Sequence, residues 1–154
     1  MQLKSLALAG VLVSSLAPAM AQEAPKLFFE GDVVRAGGPT AKGPSCVLNS
    51  RFKRGETAIF RIRVLDAKTG QSLDDKGVKN LMVELSNGEK LGMNYHQHPP
   101  KDATDWFWVG GWPIAEDQPT GSITYKIIAT TLAGETVVWQ PFKVASSQVT
   151  VVGD

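Results

Sequence analysis

Short runs in which apolar and polar residues alternate, cut by frequent turn signals, constrain this chain more than any other feature. A strand points successive side chains to opposite faces, so a period of two means a sheet with one face buried. Residues 57–65 are the clearest case. Phe60, Ile62 and Val64 point one way, Arg61 and Arg63 the other. Leu81, Val83 and Leu85 alternate with Met82 and Glu84, and Asn87-Gly88 follows, a strong hairpin signal because both residues tolerate positive φ. A return strand is expected over 89–95, stopped by Pro99-Pro100. Residues 105–109 read as a short strand ended by Gly110-Gly111. Residues 122–130 put Ile123, Tyr125, Ile127 and Ala129 on one face. Further strands are expected over 28–34, 136–139 and 148–152, with a Gly- and Pro-rich loop over 36–45. No sustained 3.6-residue pattern competes with this reading. The expected core positions are Phe60, Ile62, Val64, Leu81, Val83, Ile123, Tyr125 and Ile127.

The N-terminus reads differently. Lys4 precedes an apolar stretch from Leu6 to Leu16, and Ala19-Met20-Ala21 has the small-x-small form of a cleavage site. Residues 1–21 are therefore expected to be a secretory signal peptide of bacterial type. The stretch is too short for a membrane span. Residues 22–154 are expected to form one periplasmic domain with no membrane span. Lys4 leaves with the signal, so 15 Lys and Arg then face 15 Asp and Glu. Zero net charge argues against nucleic acid or an anionic membrane as partner.

The strand spacing implies an all-β fold, an antiparallel β-sandwich of seven to eight strands. Two stretches carry a resemblance. Val64-Leu65-Asp66-Ala67-Lys68-Thr69-Gly70-Gln71-Ser72-Leu73, followed by Val83-Glu84-Leu85, resembles bacterial immunoglobulin-like modules. Thr120-Gly121-Ser122-Ile123-Thr124-Tyr125 through Leu132-Ala133-Gly134 is similar to the penultimate strand and turn of the same modules. The resemblance implies an immunoglobulin-like sandwich with Tyr125 as a corner tyrosine. It implies nothing about activity.

Three constellations carry chemistry. Met93-Asn94-Tyr95-His96-Gln97-His98 holds both histidines of the chain. In a strand His96 and His98 share a face, and two imidazoles there suit Cu(II) or Zn(II). Met93 and the sole cysteine, Cys46, are candidate sulfur ligands, which favour Cu(I). Copper is thus the candidate cofactor, against a plain solvated loop. A cupredoxin centre is excluded, because Cys46 precedes both histidines. Covalent haem is excluded, because no Cys-x-x-Cys-His occurs. Tyr95, Trp106, Phe107, Trp108 and Trp112 fall within 18 positions. Tyr95, Trp106, Trp108 and Trp112 are the candidate partner-binding residues, against a structural role in the core. Gly110-Gly111 beside them would let a partner's backbone approach. Arg51, Lys53, Arg54, Arg61 and Arg63 form a basic cluster after Cys46, read either as a solvated sheet face or as neighbours activating a thiol.

No complete catalytic motif is present. Gly37-Gly38 and Gly110-Gly111 lack the Gly-Lys-Ser/Thr of a phosphate loop, and Asp74-Asp75 reads as a turn. The expected role is a non-catalytic binding or accessory module, with copper or another periplasmic protein as its ligand. The alternatives are a docking subunit of a periplasmic redox system and a reactive-thiol carrier or enzyme using Cys46.

Overall fold

The strand expected over 57–65 lies in β3 (Thr57–Asp66), where every second residue from Ala58 to Val64 is fully buried. The computed structural model describes residues 26–36 and 46–153. The expected signal peptide and nearly all of the Gly- and Pro-rich loop lie outside the described residues. Before β3 come β1 (Leu27–Arg35) and β2 (Arg51–Lys53). After it come β4 (Val78–Leu85), β5 (Lys90–Gly92), β6 (Asn94–His98) and β7 (Asp105–Pro113). The chain continues through β8 (Gly121–Ile123), β9 (Tyr125–Thr131), β10 (Thr136–Trp139), a 3-10 turn (Ala145–Ser147) and β11 (Val149–Val152). The protein is all-β. Eleven strands stand among the described residues where seven to eight were expected, and β2, β5 and β8 are only three residues long. No described helix is long and apolar enough to cross a membrane.

The strands form three sheets, ordered β1-β3-β7-β6, β10-β9-β4-β5 and β2-β11-β8. Neighbours are antiparallel, except that β2 runs parallel to β11. One core draws on all three sheets. Phe29, Phe60, Ile62, Val64, Trp108 and Trp112 meet Leu81, Val83, Leu85, Ile127 and Ala129, and Phe52, Ile123 and Val151 close one end. Phe60 and Tyr125 join the first two sheets edge to face, at 4.9 Å between centroids. All eight expected core positions are buried.

Four local expectations need correction. The return strand over 89–95 is two strands: β5 pairs with β4, and the chain then crosses at Met93 to pair β6 with β7. The strand over 122–130 likewise divides at Thr124, β8 pairing with β11 and β9 with β4. In both, the inward parity continues through the crossing, so alternation alone does not reveal it. Gly110-Gly111 does not end β7. A Cβ at Gly110 would meet Met93 Cγ at 3.2 Å, and one at Gly111 would meet Ile59 Cδ1 at 3.2 Å. The close approach these glycines permit is internal packing, not an open partner surface. Finally, the hairpin at Asn87-Gly88 uses positive φ at Gly88 (+92°) but not at Asn87. Gly88 N–H donates to Leu85 O at 3.0 Å and Leu85 N–H to Glu89 O at 2.9 Å, a three-residue loop ending in a left-handed glycine.

Candidate binding face

Strand β7 sorts the aromatic residues. Successive side chains alternate, so Trp106, Trp108 and Trp112 point to the inner side of the first sheet and Phe107 to the outer side. Depth then separates the tryptophans. Trp112 is fully buried, and its indole N–H donates to Glu89 Oε1 at 3.1 Å. Trp108 is buried, and its N–H donates to Leu73 O at 3.1 Å. Both are core residues with satisfied N–H groups. Trp106 stands at the end of the strand and is 45% exposed. Tyr95, half-buried on β6, stacks on Trp106 at 5.6 Å and 22°, and contacts Trp108 at 5.6 Å and 58°. The result is an aromatic ladder running from the core to the surface. Of the four expected partner-binding residues, only Trp106 and Tyr95 have surface to offer.

The ladder ends at a free edge. β6 pairs with β7 on one side and, among the described residues, with no strand on the other. Beside the stack, Tyr95, His96, Gln97, Pro100 and Trp106 line a shallow depression. Gln97 Nε2 donates to Pro100 O and ties the following loop to the strand.

The outer side of the same sheet carries ion pairs in register. Asp32 faces Arg61 and Glu30 faces Arg63 across β1 and β3. Arg61 donates from Nε and a terminal nitrogen to the two Asp32 oxygens, at 2.7 and 2.6 Å. That pairing holds the Arg61 pKa above its ordinary value, with weaker help from the Asp105 carboxylate. Arg63 donates to Asp105 and lies 3.7 Å from Glu30. Its bond holds the Asp105 carboxyl below the usual carboxylate range. Phe107 is buried beneath this layer, with the Arg61 guanidinium 5.5 Å above its ring and the His98 ring 5.5 Å away. The basic residues Arg61 and Arg63 are thus a neutralised sheet face. Arg51 and Lys53 are exposed on β2, and Arg54 Nε donates to Gln118 O at 2.8 Å.

The candidate metal ligands divide between the two sides. His96 and His98 face outward on β6, with His96 exposed and His98 half-buried. Met93 is 5% exposed and packs in the core, where it touches Gly110 from the other side of the sheet. Cys46 is exposed, in a left-handed conformation (φ +58°), with its N–H donating to Arg35 O beyond the far edge of the same sheet. Among the described residues no three His, Cys, Asp or Glu side chains converge as a metal-holding group. Asp74, read from sequence as a turn residue, accepts from Lys76 and Gly77 N–H at 2.9 and 3.1 Å. The Tyr125 hydroxyl has no hydrogen-bond partner among the described residues, so the backbone bond of a corner tyrosine is not made there.

Phe52 was missed in the core. Arg51-Phe52-Lys53 is itself a three-residue alternation, with two outward cations flanking a fully buried ring. The alternation is legible in the sequence, but the neighbouring cations Arg51, Lys53 and Arg54 mask it as a charge cluster. Compared with protein-family models and with curated proteins, the chain finds no match.

Proposed function

We propose that this chain is an exported periplasmic binding module of the immunoglobulin-like β-sandwich class, non-catalytic, docking another protein through the outer end of the β6–β7 hairpin. The fold reading is supported by two four-stranded sheets that share one core. The observation that carries the docking reading is Trp106, a large flat residue 45% exposed and held against Tyr95 at the sheet's free edge. Exposed aromatics on a rigid support give large contact area at small entropy cost, and they dominate many interfaces. A free edge strand beside them offers main-chain hydrogen bonds to an incoming segment. The flanking charges are already paired with one another, which suits a polar rim rather than acid–base chemistry.

A photoreactive phenylalanine analogue at position 106 tests this in cells that make the protein. The control carries the analogue at position 132, where Leu132 is 64% exposed. The expected result is one adduct of discrete mass from position 106 and none from 132. No adduct, or the same adducts from both positions, overturns the reading.

A second reading, copper held by His96 and His98, is favoured by their common outward side on β6. Both rings must be neutral to ligate, so affinity falls as the solution is acidified. Calorimetry should then give a dissociation constant near micromolar, about −8 kcal/mol. His96→Ala with His98→Ala should abolish binding, and Met93→Leu should leave it unchanged because Met93 is inside. Binding that survives the double histidine change contradicts this reading.

A further inference from the structure

We infer a separate small-molecule site at the opposite edge of the first sheet, in a cleft of about 640 Å³ between β1 and the segment that follows β10. That volume lies within the usual range for ligand pockets, roughly 300–1,000 Å³. Its walls are part apolar and part polar. Val33, Leu48, Trp139 and Phe142 line it, and Leu48 and Phe142 are 66% and 82% exposed. Asn49, Ser50, Gln140, Ser146 and Ser147 add polar lining, and Tyr125 and Gln148 are its buried polar residues.

Gln148 carries the inference. The side chain is 6% exposed, and its Nε2 donates to Phe142 O at 2.6 Å. A backbone carbonyl only accepts, so this bond fixes which end of the amide is oxygen. Oε1 is buried and accepts no hydrogen bond. Buried acceptors are normally satisfied, so an orphan one beside a cleft marks where a donor is missing. The Tyr125 hydroxyl, also without a partner among the described residues, is kept protonated because burial pushes its pKa up to about 12. It can therefore donate at neutral pH. Asp32, the only charged residue among the described residues lining the cleft, is already held by two bonds from Arg61. The segment beside Gln148, from Pro141 to Ser147, belongs to no sheet.

These features select the ligand chemistry: a neutral molecule with an apolar, ring-sized body and an amide head. The amide N–H would meet Gln148 Oε1, and its carbonyl would accept from Tyr125. Neutrality follows from the compensated charge, and the apolar body from the side chains of Val33, Leu48, Trp139 and Phe142.

Benzamide is a minimal probe, and N,N-dimethylbenzamide keeps the ring and carbonyl but lacks the N–H. Titration of isotope-labelled protein, followed by two-dimensional amide NMR, should shift signals of Val33, Leu48, Trp139 and Gln148 with benzamide. The dimethyl analogue should bind at least about tenfold more weakly, the usual scale for stranding a buried acceptor. Gln148→Met should erase that preference. Phe142→Ala, at an exposed position, should weaken both probes several-fold and keep the preference, so the test survives a poorly folded Gln148 variant. Equal binding of the two probes, shifts confined to other regions, or no shift at millimolar benzamide overturns the inference. None of these outcomes depends on Trp106.

Discussion

Tyr125 shows how one residue links the sheets to the solvent's pH. Its ring packs edge to face on Phe60, the residue is buried, and its hydroxyl makes no hydrogen bond to a described residue. Burial penalises the phenolate, which raises the folded pKa from 10.0 to about 12. A folded pKa above the unfolded one means the neutral form is favoured in the native state. The stability tied to it is fully present below pH 10 and declines as pH rises from about 10 towards 12. Urea unfolding between pH 8 and 11.5 should therefore show a decline that Tyr125→Phe removes, because no described hydrogen bond leaves with the hydroxyl. An unchanged alkaline decline in Tyr125→Phe contradicts this assignment. The depressed Asp105 pKa has the opposite sign: the stability it contributes holds above the unfolded carboxylate value and is lost as pH falls below about 4.

Single elements were legible where alternation is local, and illegible where pairing changes without a change of parity. β3 and β4 follow directly from period-two runs, and every expected core residue on them is buried. Two crossings were hidden. Leu91, Met93 and Tyr95 keep the same inward parity while the chain leaves one sheet for another, as do Ile123 and Tyr125. The parallel pairing of β2 with β11 joins segments far apart in sequence, which no local pattern encodes. Of the candidate site, the side-sharing of His96 and His98 was legible, but the depth of each tryptophan was not. Period fixes which side a residue faces, not how far along the sheet the core extends. The hairpin loops share one physics. Gly88 (φ +92°) and Gly134 (φ +87°) each close a three-residue loop, and a Cβ at either meets nothing within 4 Å. The penalty for Ala is therefore backbone strain alone, about 1–2 kcal/mol at each site. Denaturant unfolding of Gly88→Ala and Gly134→Ala should give losses of that size, similar to one another. A neutral effect at either position contradicts the assigned loop.

At the scale of the molecule, the first sheet is closed in its middle and offers different chemistry at its two edges. Its outer side is occupied by paired charges over Phe107, and its inner side by the core. Its edges present the aromatic stack at β6 and the cleft beside β1. The docking reading rests on Trp106 being accessible while Trp108 and Trp112 are not. Acrylamide quenching of tryptophan fluorescence tests this most directly. The half-buried Trp139 is first replaced by Phe, so that three indoles remain. The account predicts one strongly quenched component that disappears in the further variant Trp106→Phe, leaving two shielded emitters. Quenching that is unchanged by Trp106→Phe, or uniformly weak before it, would place Trp106 in the core with the others and remove the binding face.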